Sequence, residues 1–173
     1  PDAMRRYNGL ARYTLGTAVN GVSFTGLVYQ ADWNSSDQIP RRAVDDGALS
    51  RFGYLDRSNG GTTHRVGGMA EWQRTTTRGI THAEAYGFDY GLDLFSNFTY
   101  ALSDPTNGDQ FEQQDRRWIQ GLRLSHEILG EVAGLDMDST LGLDLRNDAI
   151  ENGLYHTVDR ERLSTTRSDD VMQ

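Results

Sequence analysis

The run from Tyr86 to Leu102, YGFDYGLDLFSNFTYAL, constrains this chain more than any other stretch. Its even positions are Tyr86, Phe88, Tyr90, Leu92, Leu94, Ser96, Phe98, Tyr100 and Leu102, and its odd positions are mostly polar or small. Side chains alternate across a strand with period 2, so the pattern describes a strand with one apolar face and one wet face. A helix would mix the two sets around its axis and would carry Gly87 and Gly91 at a cost of about 1 kcal/mol each. The strand is also long. Ordinary strands run to roughly 5–6 residues, whereas a strand crossing a bilayer in a barrel needs about 9–11 for the hydrocarbon alone. The apolar row is expected to meet either a protein core or lipid.

Other stretches repeat the alternation. Strands are expected over about 5–18, 22–33, 64–74, 116–129 and 138–148, with a polar tail that extends the last before looping back at 169–173. Tyr7, Gly9, Ala11, Tyr13 and Leu15 share a face in the first. Val66, Gly68, Ala70 and Trp72 share one in the third, Trp118, Leu122, Leu124 and Ile128 in the fifth, and Leu141, Leu143 and Leu145 in the sixth. Asn20-Gly21 is a strong hairpin signal. Connections then alternate: short at Asn20-Gly21, long over 34–63, short over 75–81, long over 103–115, short over 130–137, long after 148. Outer-membrane barrels keep short turns on the periplasmic side and long loops outside. On that assignment Trp33 and Trp118 fall at outer ends and Trp72 near a periplasmic end, as aromatic girdles require.

The formal charge of −8 argues against nucleic-acid binding, which calls for a basic patch. All 17 basic residues are Arg, and Cys is absent, so no disulfide, thiol nucleophile or cysteine metal site is available. No apolar run approaches the ~18 residues of a membrane helix, a test that barrel strands escape. His64, His82, His126 and His156 stand in no zinc spacing, and no GxGxxG, GxxxxGK[ST] or GxSxG occurs. No catalytic residue and no cofactor is expected, and the chain does not read as an enzyme. Asp104 to Asp109, DPTNGD, carries calcium-type oxygens outside the EF-hand register, with Asp115 where a Glu belongs, and reads as a turn. Asp89, Asp93, Arg123, Asp144 and Arg146 are expected on the wet faces of long strands, where a barrel would have its lumen. Arg41, Arg42, Arg51, Arg57, Arg160 and Arg162 lie in the long connections. Their forked donors suit an anionic ligand, and nearby Asp45, Asp46, Asp56, Asp159 and Glu161 offer them internal partners instead.

Three segments carry a more specific likeness. Asp32 to Val44 (DWNSSDQIPRRAV) with Leu49 to Asp56 (LSRFGYLD) and Asn59-Gly60-Gly61, Asp93 to Trp118 (DLFSNFTYALSDPTNGDQFEQQDRRW), and Tyr155 to Val171 (YHTVDRERLSTTRSDDV) resemble, in order, segments of TonB-dependent outer-membrane receptors. The resemblance implies an all-β, antiparallel up-and-down transmembrane β-barrel segment of six to seven long strands with short periplasmic turns and long extracellular loops. In the family the barrel has about 22 strands around a plug. It imports scarce nutrients such as ferric siderophores, haem, cobalamin or oligosaccharides with energy delivered by the TonB system. Residues 1–173 match barrel alone, with no plug domain, TonB box or terminal strand, and the chain begins at Pro1. It is therefore expected to be an internal piece of a Gram-negative outer-membrane barrel. Its expected partners are outer-membrane lipid, a small-molecule ligand such as a metal chelate, and TonB through a plug lying elsewhere. The alternative reading is a soluble all-β ligand- or glycan-binding module.

Overall fold

A computed structural model describes residues 3–17 and 19–173, so Ala18, the expected end of the first strand, lies outside it. The seven strands are β1 (Ala3–Gly16), β2 (Asn20–Asn34), β3 (Gly60–Thr76), β4 (Gly79–Ser96), β5 (Phe111–Val132), β6 (Leu135–Val158) and β7 (Glu161–Met172). One short helix, α1 (Arg41–Asp45), interrupts the connection between β2 and β3. The strands form one antiparallel sheet in chain order, β1 to β7, an up-and-down meander. The sheet is open, with β1 and β7 as its edges.

Strand boundaries differ from expectation in two places. β4 starts at Gly79 and stops at Ser96, so Phe98, Tyr100 and Leu102 leave the apolar row and stand in the following loop. The long connection expected after 148 is strand instead. β6 continues to Val158 and turns into β7 through Asp159 and Arg160 alone. Both turn residues have positive φ, 49° and 69°, as a two-residue type I′ hairpin demands. Asp-Arg is not the Asn-Gly or Asp-Gly that usually marks such a turn.

Register decides the faces, because residues directly opposite one another in an antiparallel pair share a face. Four consecutive rows cross β1 to β6 on one side of the sheet. They read Leu15–Val22–Trp72–Ala83–Leu124–Leu143, Tyr13–Phe24–Ala70–Ala85–Leu122–Leu145, Ala11–Gly26–Gly68–Gly87–Gln120–Asn147, and Gly9–Val28–Val66–Asp89–Trp118–Ala149. Asp89 is the single charge, in the outermost row, and its Oδ2 lies 3.0 Å from His64 Nε2. The next row on the loop side holds His64, Arg116 and Glu151, and the next on the hairpin side holds Asn20, Arg74 and His126. The result is a largely apolar band, broken by the amide pair Gln120 and Asn147 in its third row, roughly 20 Å from first row to last at about 3.3 Å per residue, with charge along both margins. Trp72 and Trp118 stand at its opposite margins, while Trp33 lies on the other face.

The same register overturns the expectation for β4. Its even row, Tyr86 to Leu94, opposes Met69, Gly67, Arg65, Thr63 and Gly61 on β3 and points away from the band. It shares its face with Arg123, Asp144 and Arg146, whereas Asp89 and Asp93 lie on the opposite side, so the expected lumen charges divide between the two faces. The even row is half-buried because its rings lie over cross-strand glycines. Tyr86 covers Gly121 and Phe88 covers Gly67, where a methyl group would overlap the rings.

A single sheet has no interior. Among the described residues only Ala31, Phe95 and Ile150 are buried apolar side chains. The accessible surface is 11949 Å², against about 8,500 Å² for a compact monomer of this mass. The band residues Tyr13, Phe24, Val66, Trp72, Leu122, Leu124, Leu143 and Leu145 are all exposed.

Candidate ligand-binding loop end

β1 passes to β2, β3 to β4 and β5 to β6 at one end of the sheet, and the connections 35–59, 97–110 and 159–160 lie at the other. At the second end the largest fully buried side chains among the described residues are polar: Thr157 at 0 %, Asn59 at 1 % and Gln110 at 2 % exposure. Buried polar groups are stable only when paired, and these are. Asn59 Nδ2 donates to Asp37 Oδ2 (2.7 Å), which also accepts from the Asn97 amide (2.8 Å). Asp56 Oδ2 accepts from Asn97 Nδ2 (2.9 Å) and Gln110 Nε2 (3.2 Å). Gln110 Oε1 accepts from Thr157 Oγ1 and the Arg160 amide, each at 3.0 Å. One network thus ties all three loops together. Burial works against the ionised form of Asp56, but donors from Ser58, Asn97 and Gln110 outweigh it, and its pKa lies below the ordinary 3.8.

The long connection is held at Asp37 and Asp56 through the shared Asn97, and residues 38–55 project between these anchors. The excursion carries α1 and encloses a concavity of about 800 Å³ lined by Ile39, Leu49, Arg51, Phe52, Tyr54 and Arg57. That volume is in the range of small-molecule sites. Phe52 is 86 % exposed, a large aromatic held toward solvent, and Arg57 stacks on Tyr54 with its guanidinium carbon 5.1 Å from the ring centroid. Among the described residues neither Arg51 nor Arg57 has a carboxylate partner, although the chain holds 25 acidic residues against 17 arginines.

The six arginines singled out in the sequence therefore separate. Arg51 and Arg57 line the concavity. Arg41 and Arg42 are exposed on α1, and Arg41 reaches Asp45 one turn on. Arg160 is structural: its guanidinium donates to Ser58 O (2.6 Å) and Asn34 Oδ1 (2.8 Å) and lies over Phe95. Arg162 is structural too, bound through Nε (2.6 Å) and Nη2 (2.7 Å) to the buried Glu112 and stacked on Tyr155. Phe52 and Tyr54 were not expected, and an exposed aromatic beside arginine in a long polar connection was the available signal.

The segment 104–109 is built as turns. Asp104 Oδ1 accepts from the amides of Thr106 and Asn107. The Asp109 carboxylate accepts from the amides of Ser103, Asp104 and Leu102 and from Thr99 Oγ1. These donors, the Ser103 amide foremost, hold the pKa of Asp109 at about 2. Asp115 turns to Arg117 at 2.6 Å. The Asp104 and Asp109 carboxylates thus accept from donors of the loop itself, and Asp115 from an arginine of β5. Tyr100, with φ of 62°, donates its hydroxyl to Gln38 O, and burial raises its pKa above the ordinary 10.0.

Comparison with protein-family models, with curated proteins and with solved structures found no match to this chain.

Proposed function

We propose that the chain is part of the wall of a TonB-dependent outer-membrane receptor and that its loop end contributes to capture of an anionic small molecule, such as a ferric siderophore, for import. The observation that carries this reading is the four-row band, largely apolar, exposed and bounded by charge on both margins, with Gln120 and Asn147 its interior polar residues. Its height approaches the roughly 25 Å apolar belt of outer-membrane barrels, and tryptophans at opposite margins suit the aromatic girdles. Two uncompensated arginines beside Phe52 and Tyr54 in the 800 Å³ concavity favour a negatively charged ligand that also offers a flat or apolar surface. No bond need be made or broken: the wall supplies anchorage and the loops supply recognition.

The cysteine-free sequence permits a direct test. Single cysteines at Ala70 and Ala85 in the band and at Asn8 and Ser125 on the other face are introduced into the chain inserted in phospholipid vesicles. A charged maleimide should modify Cys at 8 and 125 and spare 70 and 85. A chain that stays monomeric in detergent-free buffer, with all four positions modified alike, would reject the membrane reading and favour the soluble binding module.

A further inference from the structure

We infer that Glu71, His82 and Glu84 form a binding site for a divalent cation of the zinc type on the face of the sheet opposite the apolar band. Glu71 on β3 and Glu84 on β4 stand directly opposite one another, an arrangement of like charges that destabilises a sheet unless something positive lies between them. His82 is two residues before Glu84 and on the same face. One ligand atom from each of the three lies within 4.8 Å of the other two. Oxygen and imidazole ligands about 2.0–2.1 Å from a tetrahedral Zn²⁺ stand roughly 3.4 Å apart, so modest side-chain rotations close the site and leave the fourth position for water.

Each glutamate is ion-paired with an arginine through one of its two oxygens. Arg12 Nη1 lies 2.5 Å from Glu71 Oε2, but off the hydrogen-bonding directions, so this buried oxygen is left without a hydrogen-bond donor. Arg123 is divided between Glu84 Oε1 (3.3 Å) and Asp144 Oδ2 (3.0 Å). Each glutamate has a second oxygen with no partner among the described residues, and the arginines behind them act as outer groups that fix carboxylate orientation in metal sites. His82 makes no hydrogen bond among the described residues, which leaves both ring nitrogens available. A cavity of about 240 Å³, lined by Arg12, Thr14, Ser23, Glu71, Gln73 and His82, opens beside the cluster and gives a hydrated ion access. Two carboxylates and one imidazole are ligands of the borderline-hard class, suited to Zn²⁺ and its transition-metal neighbours more than to Ca²⁺.

The test is a Zn²⁺ titration of the full chain in detergent, in competition with a chromophoric chelator, repeated with Co²⁺ to read coordination from its visible absorption. One Zn²⁺ per chain is expected, with at least tenfold weaker binding in His82→Ala and in the near-isosteric Glu71→Gln. His126→Ala should bind like the parent, and all variants should keep the parent's far-UV circular dichroism. Absence of binding at millimolar Zn²⁺ would overturn the site, as would unchanged binding in His82→Ala and Glu71→Gln or equal loss in His126→Ala.

Discussion

The sharpest consequence of the register is that two leucines of similar appearance in the sequence should respond oppositely to arginine. Leu122 lies in the second row of the band, between Ala85 and Leu145, with 44 % of its surface exposed. In water an arginine there would keep its head group solvated and cost little. Near the middle of a bilayer it should cost about 2–4 kcal/mol, a factor of roughly 30 to 1,000 in the folding equilibrium. Leu92 lies on the other face, opposite Thr63 and Asp115. An arginine there loses a half-buried leucine contact and stands beside Asp115, which Arg117 already holds, but it lies beyond the apolar margin, and the net cost should be about 1 kcal/mol or less. Urea unfolding of the chain from phosphatidylcholine vesicles, followed by the fluorescence of Trp33, Trp72 and Trp118, measures both. The expected order is Leu122→Arg far more damaging than Leu92→Arg. Equal costs, or a damaging Leu92→Arg beside a neutral Leu122→Arg, would mean that β4 is paired one residue out of register or that the band does not face lipid.

Three further outcomes follow from the loop end and the glycine contacts. Arg160→Ala removes charged donors from Ser58 O and Asn34 Oδ1 and should loosen the network by about 2–3 kcal/mol, seen as faster amide exchange in 35–59 and 97–110 with the strands unchanged. Asp109 and Asp56 have pKa values depressed below 3.8, so their contribution is complete above that value and is lost as pH falls through the folded-state pKa, about 2 for Asp109. Loop 97–110 should accordingly open between pH 4 and about 2, and amide exchange that does not change across that window would contradict the assignment. Gly121→Ala places a methyl group against the Tyr86 ring and should cost about 1–3 kcal/mol, whereas Gly26→Ala on the band has open space and should be near neutral by the same unfolding measurement.

Alternation made the strands legible, and turn chemistry made some of their ends legible. The all-β class and the approximate limits of β1, β2, β3 and β5 follow from the period-2 rows, and the meander was expected from the connections and the resemblance. Two features needed pairing information. The end of β4 was hidden because Phe98, Tyr100 and Leu102 continue the apolar rhythm beyond the strand, in a loop held by the Asn97 and Asp109 side chains. The face of β4 was hidden because each strand's pattern defines two faces without saying which is shared with a neighbour, and a one-residue change of register exchanges them. β4 combines alanines and glycines toward the band with rings toward the charged face, the reverse of what its hydrophobicity suggests. At the loop end, Arg160 was selected for its charge, yet its role is to satisfy carbonyls through a hairpin whose Asp-Arg turn carries no usual signature. Nothing in spacing alone separates such an arginine from Arg51 or Arg57.

The position of the band within the sheet bears on what the loops can reach. On the hairpin side its last row, at Leu15 and Val22, is one residue from the β1–β2 turn pair Gly16 and Gly21. On the loop side β3 continues six residues beyond Val66, to Gly60, and β4 continues seven beyond Asp89, to Ser96. At about 3.3 Å per residue those strands extend roughly 20 Å past the apolar margin before the loops begin. With lipid around the band, the network of Asp37, Asp56, Asn97, Gln110 and Arg160 would stand well clear of the bilayer, on a stalk of sheet whose cross-strand ion pairs, such as Arg116–Asp93 at 2.7 Å, belong in water. A polar network needs rigid support to hold a concavity open at that height, and three loops locked through fully buried amide and hydroxyl groups provide it. A single Arg placed at Val28 or Val66, on the loop-side margin, should be tolerated far better in vesicles than one at Phe24 or Ala70, because the marginal side chain needs to reach only past one row to find water.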